Sequence, residues 1–198
     1  ISVQDKVPEA VLATLPQCHG CYPDMIITGN SIEMRNWSLE IQAEFVKKLE
    51  AAARGVPVVT ATDATEAALK ALGAKRIAVL SPMSEVYSKS VQAYYEALGF
   101  EAPYGAWLEV KESIDIIKVT VDQILEALKR NDHDDVDTFL HVGGALGMVS
   151  MIAELEQKLG RPIVSSNAAT YWYAMRKAGI KDTRDDLGKL WTIEELAD

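Results

Sequence analysis

An internal repeat is the feature that most constrains the fold, because each copy is predicted to form a strand, a glycine turn, a helix and a second strand. One copy covers residues 137–170 and the other covers residues 25–65. When residues 55–65 are aligned with residues 160–170, the pairs include identical Gly, Pro, Val, Ala and Thr. Each copy therefore predicts two parallel strands whose carboxyl ends meet at one edge of an open α/β sheet, where such sheets bind ligands.

Strands and helices alternate along the whole chain. Apolar periodicity and capping residues predict helices over residues 8–15, 38–54, 65–72, 88–98, 115–129, 148–160 and 169–177. Predicted strands cover residues 24–28, 57–62, 76–80 and 105–110, together with the two strands of the second repeat copy. Most of these strands are continuously apolar, which is typical of parallel strands covered by helices on both faces. The sequence therefore predicts the α/β class.

Composition and charge argue against several classes of function. The 198 residues include 48% hydrophobic and 25% charged side chains, which suits one domain or two small lobes. A formal net charge of -9 argues against nucleic acid or a membrane surface as a partner, although backbone N–H groups can still bind a small anion. With two cysteines, no signal peptide pattern and no apolar run of membrane-spanning length, a cytoplasmic protein is expected.

The repeat also predicts how the chain is divided. Residues 1–73 are expected to form an N-terminal lobe, residues 74–168 a C-terminal lobe, and residues 169–198 a terminal helix and tail that pack across both. The second lobe begins with two strand–helix units that have no counterpart in the first. We therefore expect the first lobe to be incomplete at its N-terminus, and Trp191 to pack the tail onto the body.

Two segments carry a resemblance to a known family. Residues 73–80 and residues 159–170, each with the helix that follows, resemble the aspartate/glutamate racemase superfamily, specifically its maleate isomerase and arylmalonate decarboxylase branch. The resemblance covers nearly the whole chain and implies two pseudo-symmetric Rossmann-like lobes with parallel sheets flanked by helices. It also implies a small carboxylate held between the lobes, cofactor-independent isomerase, racemase or decarboxylase chemistry, and compatibility with a homodimer.

The catalytic positions of that family are substituted in this sequence. The family uses strand-tip thiols to move a proton at the substrate, because a thiol has a pKa within reach of neutral pH. The resemblance places the two family cysteines on Gly29 and Val142, and the family tyrosine on Met83. None of these three side chains can transfer a proton. The catalytic residues therefore stay unknown, and a catalytically silent carboxylate-binding relative is the alternative to an active enzyme.

The carboxylate-binding part of the family site is retained. The residues expected to bind the substrate are Gly29, Asn30, Ser31, Met83, Val142, Gly143, Gly144, Ser166 and Asn167. Backbone N–H groups and hydroxyls at these strand ends can hold a carboxylate and stabilise enolate-like charge. The alternative for each turn is a plain strand-to-helix connection, since Gly, Asn and Ser are common turn residues.

Other reactive residues have a simpler structural interpretation. Because side chains alternate along a strand, His141 is expected to face away from the ligand if Val142 faces it, which predicts a hydrogen-bonded core histidine. Cys18 and Cys21 form a C-x-x-C pair that could bind zinc, but the sequence has no second pair, so unligated thiols are expected. The acidic stretch 131–137 is expected to be a solvated loop. No glycine-rich phosphate-binding pattern follows a strand, and no nucleotide or metal cofactor is predicted.

Overall fold

The computed structural model describes residues 6–29 and 37–197. Its strands are β1 (Ile26–Thr28), β2 (Val58–Thr60), β3 (Arg76–Ser81), β4 (Glu101–Trp107), β5 (Thr138–His141) and β6 (Ile163–Ser165). Its α-helices are α1 (Val7–Thr14), α2 (Leu39–Ala52), α3 (Ala61–Ala71), α4 (Glu85–Ala97), α5 (Val121–Lys129), α6 (Ile152–Leu159) and α7 (Ser166–Lys177). Short 3-10 segments cover Leu15–Cys21, Ser113–Lys118, Val149–Met151 and Lys189–Thr192.

The strands form two parallel sheets. β1 pairs with β2, and the second sheet has the order β4-β3-β5-β6 with every pair parallel. Since helices alternate with the strands along the chain, the predicted α/β class with parallel sheets flanked by helices is confirmed. The division of the chain at residues 73 and 168 stays a prediction.

The central strand β3 is apolar on both faces. Ile77 and Leu80 point to opposite sides of the pleat, yet both are fully buried. Leu140 on the neighbouring strand β5 is buried in the same core. Burying each such side chain contributes about 1.5–3 kcal/mol, so these strands are stable only with helices packed on both faces of the sheet.

Helices α3 and α7 pack against each other and connect the two sheets. α3 follows β2 of the first sheet but also contacts β6 of the second sheet, and α7 follows β6 but also contacts β2. Thr65 and Thr170, which occupy corresponding positions in the two repeat copies, make matching hydrogen bonds. The Thr65 hydroxyl donates to the carbonyl of Ala61 at 2.9 Å, and the Thr170 hydroxyl donates to that of Ser166 at 2.6 Å.

Both of these helices begin earlier than the sequence predicts. The predicted starts at residues 65 and 169 are wrong, because α3 begins at Ala61 and α7 at Ser166, directly after their strands. Thr60 caps α3 by accepting a hydrogen bond from the backbone of Asp63 at 3.1 Å. A polar residue that ends a strand can thus serve as the helix N-cap, which makes a separate connecting loop unnecessary.

Several other predicted boundaries also differ. The predicted helix over residues 115–129 is divided into a 3-10 segment and α5, because Thr120 and Gln123 form a capping box that starts a new helix. β4 begins at Glu101 rather than near residue 105. The apolar pattern of residues 38–54 also predicts that Ile41 is buried, but Ile41 is 49% exposed and Gln42 is buried on α2 instead.

The C-terminal tail is held on the body by α7. Arg176, only 7% exposed, donates to the backbone carbonyls of Ile193, Ile180 and Asp182 at 2.8–3.0 Å. The indole N–H of Trp172 also donates to Ile193 at 3.0 Å, and Trp191 is buried, as its sequence context predicts. Across the described ranges, the helices are all too short or too polar to cross a membrane.

Candidate functional site

The residues that are predicted to bind the ligand after β3, β5 and β6 lie at one sheet edge. Strand register places Leu80, His141 and Ser165 side by side at the carboxyl ends of β3, β5 and β6. The predicted binding residues Met83, Val142, Gly143, Gly144, Ser166 and Asn167 immediately follow these strand ends. Since parallel strands end at the same edge, the structure brings together the residues that sequence spacing had only suggested.

The turn after β5 exposes backbone donors. The Val142 N–H still belongs to the sheet, since it donates to the Leu80 carbonyl at 3.0 Å, and its side chain is fully buried. Gly143 then adopts a φ of 98°, and its carbonyl accepts from Leu146 N at 3.0 Å to close the turn. Within residues 6–29 and 37–197, no acceptor is found for the N–H groups of Gly143 and Gly144. Two free donors in a glycine turn are suited to an anion.

A side-chain amide fixes the position of this turn. The Asn167 Nδ2 group donates to the Gly144 carbonyl at 2.9 Å. A Cβ atom on residue 144 would lie 2.6 Å from the Asn167 Oδ1 atom, a distance that real Cβ contacts essentially never show. A side chain at position 144 would therefore displace the Asn167 amide, which joins the tips of β5 and β6.

His141 belongs to the core, as strand alternation predicts. It is fully buried, and its Nδ1 atom lies 3.0 Å from the Ser165 hydroxyl. The Ser166 hydroxyl donates to the His141 backbone carbonyl at 3.0 Å. Burial lowers the pKa of His141 from 6.5 to about 4, so the ring is neutral at neutral pH. Its Nε2 atom has no hydrogen-bond partner among the described residues.

The start of α7 has no side-chain cap. Ser165 occupies the N-cap position but makes no capping hydrogen bond, and its hydroxyl pairs with the imidazole of His141 instead. The first N–H groups of α7 are consequently left without the side-chain acceptor that Thr60 provides for α3. Free N–H groups at a helix N-terminus attract anions. This arrangement depends on inter-strand register, which the sequence pattern does not reveal.

The tip of β3 has no acid–base group at the predicted position. Met83 is half-buried, and its backbone N–H donates to the Ser81 hydroxyl at 3.1 Å. Ser81 itself is fully buried and its carbonyl accepts from Leu108 N. The Met83 thioether can pack against a ligand but cannot exchange a proton.

The tip of the first sheet is described only in part. Gly29 follows β1 as predicted and is exposed, whereas Asn30 and Ser31 lie outside the described residues. A Cβ atom on residue 29 would have no atom within 4 Å. A cavity of about 240 Å³ runs along β1, and its walls are formed by Val11, Thr14, Leu15, Cys18, Ile26, Ile27, Thr28 and Gly29. No pattern in the sequence indicates that Cys18 shares a cavity with Gly29.

Two segments of the sequence contain candidate metal ligands, residues 18–21 and residues 131–137. Cys18 and Cys21 are free and exposed, and no group of three or more His, Cys, Asp or Glu side chains in the described part of the chain could hold a metal. Residues 131–137 form a loop in which His133, Asp134 and Asp135 are exposed, as expected. Arg161 donates to Asp132 at 2.5 Å and to the His133 carbonyl at 3.2 Å, so a neighbouring cation clamps the loop.

Comparison with known proteins identifies relatives of this chain. The family model described as arylmalonate decarboxylase matches residues 29–191. A maleate isomerase of Alcaligenes faecalis is 26% identical over 137 residues, covering 68% of this chain and 54% of the relative. The arylmalonate decarboxylase of Bordetella bronchiseptica is 30% identical over 132 residues, covering 64% of this chain and 54% of the relative. The chain thus spans about half the length of these curated relatives.

Solved structures share the fold. A crystal structure of arylmalonate decarboxylase has a TM-score of 0.84 at 22% identity and covers 96% of this chain and 84% of its own. A Nocardia farcinica maleate cis-trans isomerase mutant, solved with a covalently bound succinylcysteine intermediate, has a TM-score of 0.81 at 20% identity, covering 93% and 79%. These similarities establish the architecture, and the family match extends over most of the sequence. The chain belongs to the arylmalonate decarboxylase family.

Proposed function

We propose that this protein holds a small carboxylate at the carboxyl edge of its strands and acts on it as a cofactor-independent isomerase or decarboxylase. Membership of the family supports the class of reaction, since curated relatives are a maleate isomerase and an arylmalonate decarboxylase. Both names refer to small dicarboxylates. The proposed ligand is therefore a maleate-like or malonate-like dianion.

The observation that carries the proposal is the presence of N–H donors without an acceptor at the ends of both β5 and β6. Gly143 and Gly144 contribute two donors with no acceptor in the described part of the chain, and the uncapped start of α7 contributes more. These donors are neutral backbone groups, so they can attract an anion within a chain of net charge -9. Asn167 holds the two tips in a fixed relation.

The same donors suit the chemistry of the family. Loss of CO₂ from a malonate, or addition to a maleate double bond, places negative charge on a carboxylate and its adjacent carbon. Preorganised N–H donors stabilise such charge, and removing one donor from a comparable site typically costs about 10²–10³ in rate. Binding and charge stabilisation can therefore come from the same backbone groups.

No side chain at the assigned family positions can donate a proton to the substrate. The resemblance assigns the family thiols to Gly29 and Val142, and the only cysteines in the sequence are Cys18 and Cys21. His141 is neutral and buried in the core. We infer that the proton comes from bound water, from the substrate itself or from a group outside the described residues.

A catalytically silent binding protein is the second proposal, and one observation favours it. Val142, which the resemblance places at the second thiol position, is fully buried and cannot ionise. In this case the strand tips bind a carboxylate without transforming it, and the protein acts as a sensor or a partner of another protein.

Incubation in D₂O distinguishes the two proposals. Purified protein is mixed with maleate, phenylmalonate or amino acids, and deuterium uptake, isomerisation and CO₂ release are followed by NMR. The enzyme proposal predicts turnover of at least one compound. Saturable thermal stabilisation without turnover supports the binding proposal, and a ligand at 100 times its Kd stabilises the fold by about 2.7 kcal/mol. If no compound is turned over and no compound stabilises the protein, both proposals are contradicted.

Restoring a thiol tests the assignment of the family positions. Gly29→Cys has open space at Cβ, and Val142→Cys removes volume from a buried site. Either variant is expected to produce or accelerate proton exchange if the residue lines the site. Gly147→Cys is the matched control, because Gly147 also has open space at Cβ and lies on the same loop as Gly144. Equal rates in all three variants would contradict the assignment.

A further inference from the structure

The two cysteines lie one turn apart on a 3-10 segment. Cys18 and Cys21 both belong to Leu15–Cys21, and both are free and exposed. A 3-10 helix has about three residues per turn and rises about 2 Å per residue, so side chains at i and i+3 share one face with Cα atoms about 6 Å apart. Cα atoms joined by a disulfide are about 4.4–6.8 Å apart. This spacing therefore places the two Cα atoms within the range that a disulfide spans.

The end of the segment has room to close this distance further. A disulfide brings the two Cβ atoms to about 3.8 Å, which requires the last turn to tighten. Cys21 is the last residue of the segment, and Tyr22 follows with a φ of 48° and 91% exposure. Gly20 has no atom within 4 Å of its Cβ position. Tightening this turn therefore displaces no packed side chain.

The segment is packed up to His19, whereas its end at Cys21 and Tyr22 is exposed and is held by the hydrogen bond from Tyr22 N to the His19 carbonyl at 3.0 Å. Leu15 is buried in the core with Phe45 and Leu49. The Nε2 atom of His19 lies 3.3 Å from the Ala52 carbonyl at the end of α2. These contacts hold Cys18 in place on the wall of the cavity along β1, and Cys21 is the thiol that moves.

We infer that Cys18 and Cys21 form a reversible intramolecular disulfide by exchange with a small-molecule disulfide of the glutathione class. One protein thiolate attacks a sulfur of the small disulfide, forming a mixed disulfide and releasing one small thiolate. The second protein thiolate attacks the protein sulfur of the mixed disulfide, closes the Cys18–Cys21 bond and releases the second small thiolate. Two electrons pass from the protein to the small disulfide, and the two protein protons are taken up by the released thiolates.

Equilibration with reduced and oxidised glutathione tests this inference. The protein is quenched in acid, alkylated and weighed by mass spectrometry. The oxidised form is expected to lack two hydrogens and to resist alkylation at both cysteines. Its ratio to the reduced form depends on oxidised glutathione divided by the square of reduced glutathione. Doubling the concentrations of both forms of glutathione should therefore halve the ratio of oxidised to reduced protein.

The single variants Cys18→Ser and Cys21→Ser are the matched controls. Each can form only a mixed disulfide, whose abundance depends on the simple glutathione ratio and should not change on doubling. The thiols are exposed, so both variants should melt at the wild-type temperature. The inference is overturned if the wild type stays reduced at the most oxidising ratio, carries bound glutathione, or forms disulfide-linked dimers on a non-reducing gel.

Discussion

The junctions β2–α3 and β6–α7 are corresponding parts of the repeat, yet their helix starts differ. Thr60 caps α3, whereas the corresponding Ser165 is held by His141 and leaves α7 uncapped. Further along the helices the two copies are alike, since the hydroxyls of Thr65 and Thr170 both donate to a backbone carbonyl in the preceding turn. The two copies therefore keep the same hydrogen bond inside the helix and differ in whether the residue that ends the strand also caps the helix.

We expect the largest difference in the free energy of unfolding between variants at the C-terminus of α7 and variants at the C-terminus of α3. Arg176→Met in α7 removes three hydrogen bonds from a buried cation to carbonyls of the tail. We expect the free energy of unfolding to fall by about 4 kcal/mol, because hydrogen bonds to charged groups are worth about 1.5–3 kcal/mol each and do not add fully. Urea denaturation gives this value.

The corresponding change in α3 is the control for that measurement. Lys70→Met lies in the last turn of α3, where Lys70 forms an exposed ion pair with Glu66. Such surface pairs contribute about 0–1 kcal/mol, so stability should barely change. Similar losses in the two variants would show that the tail does not depend on Arg176.

Stability should depend on pH through the histidine of the β6–α7 junction. The pKa of His141 is about 4 in the folded protein against an ordinary value of 6.5, so the unfolded chain binds the proton more tightly. The free energy of unfolding therefore has its full value, as far as His141 is concerned, above pH 6.5, and it declines as the pH falls toward 4. With about 1.36 kcal/mol per pKa unit, the difference between these two values corresponds to about 3 kcal/mol.

Comparison of the wild type with His141→Leu isolates this contribution from the carboxylates. Denaturant midpoints of both proteins are measured between pH 4 and pH 7. The difference between the two curves should shrink or reverse as the pH falls, since only the wild type buries the imidazole. Parallel curves would mean that His141 does not lose its proton on folding in this range.

Removing the hydroxyl at each helix start should have unequal costs. Ser165→Ala leaves the buried His141 Nδ1 atom without a partner, and an unsatisfied buried group costs about 1–3 kcal/mol. Thr60→Ala removes a helix cap worth about 1 kcal/mol. The double variant of His141→Leu with Ser165→Ala should recover part of the first loss, since both partners are then apolar. If its cost is the sum of the single changes, the hydrogen bond is not what couples these residues.

The smallest expected effect on stability is at the glycine turn itself. Gly144→Ala places a Cβ atom against Asn167, and we expect a loss of about 1 kcal/mol, the low end for overpacking, together with weaker carboxylate binding. Gly147→Ala is the control, because Gly147 has open space and no positive φ. Thermal melts with and without phenylmalonate measure both effects. Unchanged ligand stabilisation in Gly144→Ala would separate the turn from the binding site.

The α/β class and the order of the strands whose ends form the candidate site could be predicted from the sequence. Continuous apolar strands such as Arg76–Ser81 make the class visible, because only burial on both faces explains them. The helix starts at Ala61 and Ser166 were predicted too late, since a polar strand end and a loop have similar compositions. The pairing of His141 with Ser165 and the contact of Asn167 with Gly144 depend on register between strands, which one sequence does not encode in a readable pattern.

Backbone amide chemical shifts test the central claim most directly, because they report the two helix starts in one experiment. A ¹⁵N-labelled sample is titrated with phenylmalonate or maleate, and every assigned N–H group is followed. We predict that the largest saturable shifts occur at Gly143, Gly144 and the first turn of α7, with little change at Ala61 and Thr62 of α3. Shifts confined to α3, or saturable binding that leaves Gly143 and Gly144 unmoved, would contradict the account.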